Sequence, residues 1–156
     1  MADQKYVVFQ LNNELYGLPI ESVERILEDQ SPTRIPGSPS AMLGVFDLRG
    51  SVIPAVDMRM RFGMPAYEAV GVMVVAMSAG QRVGLRVDGV DGIYEFSEDE
   101  IQPSPDLLLD SDDDYFASVG QREDKLVVML SPDQVLPKEL AKRVAKVAEK
   151  QLVAAA

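Results

Sequence analysis

Short runs of β-branched and aromatic residues, each cut off by turn-forming residues, recur along this chain and constrain it to a mainly β fold. Tyr6 to Leu11 is followed by the turn signal Asn12-Asn13 and then by Glu14 to Leu18, which together predict an opening hairpin. Val45 to Leu48 leads into Arg49-Gly50, and Val52 to Val56 resumes the apolar pattern on the far side. Val70 to Met77 is a near-continuous apolar run, expected of a central strand, and Ser78-Ala79-Gly80 joins it to Gln81 through Val87 in hairpin grammar. Val90 to Phe96, a weaker Tyr115 to Val119 and a strong Lys125 to Leu130 bring the set to about ten short strands, the pattern of β-barrels or a sandwich.

The connecting stretches carry their own signals. Pro19 to Leu27 fits either a helical face through Ile20, Val23 and Leu27 or a pairing strand from Ser22. Gln30 to Ser40, with Pro32, Pro36, Gly37 and Pro39, is a loop holding at most a short extended piece around Thr33 to Ile35, and Pro39 is placed to open one helical turn ending before Gly44. Asp57 to Arg61 reads as a short polar helix or loop. Ser131-Pro132-Asp133-Gln134 has the order of a capping box with proline at the first helical position. A C-terminal helix is therefore expected over about 132–153, interrupted at Pro137, with Leu140, Val144, Val147 and Leu152 on one face. No internal repeat is legible.

A chain of 156 residues can bury about 70% of its unfolded surface, so its core needs no disulfide or metal staple. It contains no cysteine and no histidine, which removes thiol nucleophiles, disulfides, the commonest general base and the commonest transition-metal ligand. The net charge of −10 argues against nucleic acid, whose non-specific affinity comes from phosphate neutralisation. No apolar run reaches the roughly 20 residues of a membrane helix, so the expectation is a soluble, cytoplasmic protein with no direct membrane insertion. Residues 95–114 are rich in acids and free of basic residues; both a solvated loop and a steering surface fit that composition. Asp110, Asp112 and Asp114 match the first spacings of a calcium loop, but Tyr115 and Gln121 occupy its glycine and glutamate positions, so no metal is expected. No phosphate-binding loop, nucleophile elbow or dinucleotide fingerprint is present, and neither an enzyme activity nor a cofactor is expected.

The segment LGVFDLRGSVIPAVDMRMRFG, from Leu43 to Gly63, resembles the central signature of CheW-like domains, the coupling proteins of bacterial chemosensory arrays. The resemblance continues through YVVFQLNNELYGLPIESVERI at Tyr6 to Ile26, TRIP at Thr33 to Pro36 and VGLRVDGVDGI at Val83 to Ile93, covering roughly residues 5 to 135. It implies a single domain, residues 1–156, of two side-by-side five-stranded SH3-like β-barrels with short helices and a C-terminal helix. It favours a helical turn followed by a strand over Pro19 to Leu27. It further implies a non-enzymatic adaptor linking methyl-accepting chemoreceptor tips to the regulatory domain of a CheA-type histidine kinase, recruited from the cytoplasm to membrane-associated arrays. An adaptor of another chemosensory pathway, such as surface motility, is the alternative within that class. A small-ligand-binding barrel sensor is the alternative outside it, weakened by methionines and valines that suit filled interiors.

By the same resemblance the receptor-binding residues are Val23, Arg34, Gly44, Arg49 and Ile93, while the kinase contacts stay unassigned. Each has a plainer reading. Arg49 can pair within the chain with Asp47 or Asp57, and Val23 and Ile93 can be ordinary core. Gly44 can simply supply a positive φ, and Gly50 and Gly89 are read as structural turn positions. Arg25 departs from the resemblance, standing where many CheW-like domains carry an acid.

Overall fold

The computed structural model describes residues 3–65, 70–103, 116–133, 135–136 and 142. Among the described residues the strands are β1 (Gln4–Leu11), β2 (Glu14–Pro19), β3 (Val23–Glu28), β4 (Met42–Leu48), β5 (Ser51–Asp57), β6 (Val72–Ser78), β7 (Gln81–Val87), β8 (Gly89–Phe96), β9 (Ile101–Pro103), β10 (Phe116–Arg122) and β11 (Lys125–Leu130), and a short helix, α1 (Met58–Arg61), follows β5. They form a six-stranded sheet ordered β8-β1-β2-β11-β10-β9 and a five-stranded sheet ordered β3-β6-β7-β5-β4. The mainly β, two-unit expectation holds, with β9 as an added sixth strand in the first sheet. Residues Ile20–Ser22 form a single 3-10 turn before β3, so Pro19 to Leu27 resolves as turn then strand.

The hairpin turns follow from local chemistry. Two-residue connections matching strand twist need positive φ at both central positions, and Asn12 and Asn13 have φ of 53° and 67°. Arg49 and Gly50 repeat this at 51° and 87°, and Ala79 and Gly80 at 50° and 80°. The left-handed backbone of Arg49 is thus a requirement of its hairpin, shared with Ala79, rather than strain peculiar to a site.

Three apolar clusters hold the sheets. Tyr6, Val8, Phe96, Val127 and Met129 pack within the six-stranded sheet. Phe46, Ile53, Ala55, Met73 and Val75 pack within the five-stranded one. A larger cluster, including Phe9, Leu11, Tyr16 and Leu18 from the first sheet and Val74, Ala76, Val83 and Leu85 from the second, fills the joint between them. Alternation in the strands explains this division: Val8 faces one interior and Phe9 the joint, while Met73 and Val75 oppose Val74 and Ala76 across β6. A strand with a core on each face must be apolar throughout, hence the unbroken run there. Both interiors are tightly filled; a Cβ on Gly84 would lie 2.8 Å from the Phe46 ring and 2.9 Å from the Met73 sulfur.

The registers expose a repeat that the sequence pattern hides. Each of the hairpins β1-β2 and β6-β7 is followed by a strand that crosses to the other sheet: β3 pairs with β6, and β8 with β1. Ile26 opposes Val74 and Leu27 opposes Met73; correspondingly, Ile93 opposes Val7 and Tyr94 opposes Tyr6. Both ladders skip one residue, Glu24 in the first and Asp91 in the second. The second hairpins correspond too, β5 running parallel to β7 with Ala55 opposite Gly84, and β11 parallel to β2 with Met129 opposite Gly17.

The capping box expected at Ser131 depends on Gln134 and so lies outside the described residues, of which Pro132 and Asp133 make a turn. One occurs at Ser97, whose N–H donates to Glu100 Oε1 at 2.9 Å. Of the C-terminal helix, only Lys142 among the described residues is helical; most of 132–153 lies outside them, as do the acidic positions beyond Pro103 up to Asp114, including the calcium-like spacing.

Candidate functional site

Arg49 sits at the tip of the β4-β5 hairpin and is exposed. It makes no ion pair with Asp47 or Asp57 among the described residues. The Asp57 carboxylate instead caps α1, Oδ1 accepting from the backbone N–H of Arg59 at 2.9 Å and of Met60 at 3.4 Å. The guanidinium has no hydrogen bond or ion pair among the described residues. Gly50 beside it has positive φ and open space around its Cα, as a turn position requires.

Arg34 is exposed one residue after Thr33, whose backbone is bound to β4: Thr33 N–H donates to Val45 O at 2.7 Å and Val45 N–H to Thr33 O at 2.9 Å. This bridge dictates the glycine at 44. With φ of 141°, a Cβ there would lie 2.1 Å from Thr33 O and 2.9 Å from Arg34 Cα. The close approach that Gly44 permits is therefore made by the chain's own backbone, and Gly44 and Arg34 are brought together. Arg49 stands at the opposite end of β4, about 17 Å away at the rise of an extended strand.

Val23 and Ile93 are not equivalent in placement. Val23 opens β3, partly buried against the joint cluster, whereas Ile93 on β8 is 60% exposed. Through the repeat, Val23 corresponds to Val90 and Ile93 to Ile26, which is itself 45% exposed. Sequence reasoning missed Ile26, although Glu24, Ile26 and Glu28 alternate with half-buried neighbours in a way that marks one outward face. Gly89 differs from its expected role: it opens β8 with an ordinary φ, and the positive-φ glycine of this strand is Gly92, at 147°, opposite Val8 in the skipped register.

Two carboxylates tie the sheets at the joint. Asp88 accepts from Arg59 Nε and Nη2, each at 2.6 Å, and from the Asn12 N–H at 2.8 Å. Burial by itself raises the Asp88 carboxyl, but the hydrogen bonds from Arg59 and Asn12 and the charges of Arg59 and Arg86 outweigh it, holding the group below the ordinary carboxylate value. Asp133 Oδ1 accepts from the Ala79 N–H at 3.0 Å, so each opening hairpin has its turn held by a carboxylate from elsewhere in the chain. On β8, the Tyr94 hydroxyl donates to Asp91, which lowers that carboxyl, and Lys125 Nζ lies 3.1 Å from the same hydroxyl. Further exposed apolar side chains flank two hairpin ends: Leu126 at 61% and Met77 at 39%.

Among the described residues no group of His, Cys, Asp or Glu could hold a metal ion, and no helix is long and apolar enough to cross a membrane. The arrangement offers surfaces for association: an open arginine turn, exposed isoleucines on the outer strands and apolar hairpin ends.

A family model for the CheW-like domain matches residues 5–140. The chemotaxis protein CheW of Rhizobium meliloti is 33% identical over 138 residues, covering 87% of this chain and 89% of that protein. The chemotaxis protein CheW of Klebsiella aerogenes is 30% identical over 139 residues, covering 87% and 83%. Protein FrzA of Myxococcus xanthus is 27% identical over 106 residues, 66% of each. Among solved structures, the scaffolding protein TtCheW from Thermoanaerobacter tengcongensis superposes with a TM-score of 0.81 at 30% identity, covering 88% of this chain and 97% of that one.

Proposed function

The chain belongs to the CheW-like domain family, scaffold and adaptor proteins of chemotaxis, and from that premise we propose that it couples methyl-accepting chemoreceptors to a CheA-type histidine kinase without catalysing a reaction itself. The observation that carries this reading is the Arg49 turn: an exposed arginine at the tip of the β4-β5 hairpin, with no ion pair among the described residues, within a domain matching the family from residue 5 to residue 140. Arg49, with Arg34 near the Gly44 bridge, supplies donors for carboxylates of a receptor tip, and Ile93 and Val23 supply apolar contact. Gly44 contributes by letting the Thr33–Arg34 backbone lie against β4. Leu126 and Met77, beside hairpin turns, are suited to docking the barrel-like regulatory domain of the kinase. The adaptor works from the cytoplasm, at arrays to which its partners recruit it.

Coupling then follows from linkage. A receptor state that binds the assembled adaptor and kinase more tightly shifts the kinase equilibrium by that difference in free energy and no more. The test is calorimetry of the purified protein with a receptor signalling tip and with a kinase regulatory domain. Two separate sites support coupling; binding to neither, with folded protein and cognate partners, removes it. The similarity to FrzA favours a second reading in the same class, an adaptor serving another chemosensory pathway such as surface motility, which binding to that pathway's receptor and kinase in preference to the chemotaxis pair would establish.

A further inference from the structure

Ile93 is held outward on a strand whose residue pattern does not by itself choose that face. Ile93 and Tyr94 are both apolar enough for an interior, and a slip of one position in the ladder with β1 would turn Ile93 inward and Tyr94 outward. The skipped residue sets the face. Phe9 opposes Val90 and Val8 opposes Gly92, so Asp91 is left outside the ladder as a bulge. Gly92 follows it with φ of 147°, a backbone conformation that residues with side chains rarely adopt.

This bulge is tied by side chains of three strands. Asp91 Oδ1 accepts from Gln10 Nε2 of β1 at 2.9 Å, and Asp91 Oδ2 accepts from the Tyr94 hydroxyl further along β8. That hydroxyl in turn accepts from Lys125 Nζ of β11 at 3.1 Å. The Tyr94 ring packs against the interior cluster of the six-stranded sheet, while Lys125 Nζ and the Arg122 guanidinium, from residues opposite each other across the β10-β11 turn, lie 5.6 and 6.0 Å from its centroid. A slip that turned Tyr94 outward would forfeit the ring contacts and the hydroxyl bonds together. The other half resolves the same choice with different partners: its skipped residue is also an acid, Glu24, bound by Arg82 of β7 through two bonds of 3.0 Å, and two places on stands another outward isoleucine, Ile26. An isoleucine kept outside forgoes the burial it would gain in a core, so a tied bulge that keeps it there fits a contact role better than a stabilising one. We propose that Asp91, held by Gln10 and Tyr94, is a positioning residue for the receptor contact made by Ile93, fixing the bulge that keeps this side chain on the outer face. The inference rests on the coupling reading, in which Ile93 supplies apolar contact, and adds the device that presents it.

The test uses the full chain as wild type, Asp91→Ala, Tyr94→Phe, Ile93→Ala and the double variant of Asp91→Ala with Ile93→Ala. Each is titrated by calorimetry with a soluble signalling tip of the cognate chemoreceptor and with the kinase regulatory domain, and its amide hydrogen exchange is followed. Asp91→Ala is expected to weaken tip binding roughly tenfold and Tyr94→Phe about threefold, with kinase binding and urea midpoint unchanged. Faster exchange should be confined to β8 around Gly92 and Ile93. Because Asp91 acts through Ile93, the double variant should bind the tip no more weakly than Ile93→Ala alone, whereas a role independent of Ile93 would make the two losses add. Additive losses, or equal tip affinity for wild type, Asp91→Ala and Tyr94→Phe, overturn the inference and leave coupling standing. Failure of the wild type to bind the tip removes the coupling reading and the inference with it. Should Asp91→Ala not fold, Tyr94→Phe and its own double variant with Ile93→Ala decide the matter by the same criteria.

Discussion

The two sheets share one plan and differ in what they leave unpaired. Each combines two hairpins whose second strands run parallel, and each borrows an outer strand from the other half, β8 in the first and β3 in the second. In the six-stranded sheet, Lys125 and Arg122 lie over the Tyr94 ring and Lys125 approaches Asp91, so its outer strand is tied by side chains. In the five-stranded sheet the outer strand is tied as well, Glu24 of β3 to Arg82 of β7, while Arg25, Arg34 and Arg49 have no hydrogen bond or ion pair among the described residues. The apolar plan that makes a stable unit was thus used twice, while the charges were arranged independently, because exposed charge contributes little to stability and is free to vary with binding.

The comparison breaks most visibly at Gly44. Gly44→Ala forces a Cβ against a backbone carbonyl and is expected to cost about 4 kcal/mol or more, whereas Gly50→Ala, strained only by its φ, should cost about 1 kcal/mol. Urea midpoints of the two variants check the difference. Met73→Ala and Met129→Ala empty corresponding interiors and should each lose about 3 kcal/mol. A markedly smaller loss in one would show that the two interiors are not packed alike.

The joint between the halves comes next. Asp88→Asn removes the charge gripped by Arg59 and is expected to cost roughly 2 kcal/mol. Because the folded Asp88 carboxyl is held below its ordinary 3.8, its stabilisation is complete above that value and is lost as the pH falls through the lower folded value. The gap in stability between wild type and Asp88→Asn should therefore close in acid, which thermal unfolding across pH 2 to 6, an illustrative range of about four units, would register. The smallest effect on folding belongs to Arg49→Ala, no more than about 0.5 kcal/mol, with a loss of about 2 kcal/mol in receptor binding measured by calorimetry. A large drop in stability with unchanged binding would make this arginine structural.

Much of the site is legible residue by residue and little of it as an arrangement. The Arg49-Gly50 turn reads directly, since flanking apolar runs and a glycine define a hairpin locally. That Arg49 has no pair with Asp57 does not, because the competing demand on that carboxylate comes from the first turn of α1. Gly44 stands out in the sequence as a special position, but its cause, the Thr33 bridge, joins segments separated by a proline-rich loop. Gly89 reads as a turn because glycine usually marks one, while the backbone need falls on Gly92 at the skipped register.

By itself the sequence determined most of the strands, though not β9 or the choice at β3, together with the hairpin turns and the absence of thiol or imidazole chemistry, since these depend on alternation, turn residues and composition within a few neighbouring positions. Tertiary structure alone decided that β3 and β8 change sheets, that the halves repeat in register, and which arginines are paired. Those outcomes depend on hydrogen-bond ladders and ion pairs between residues far apart in the chain, where no local pattern ranks one partner above another.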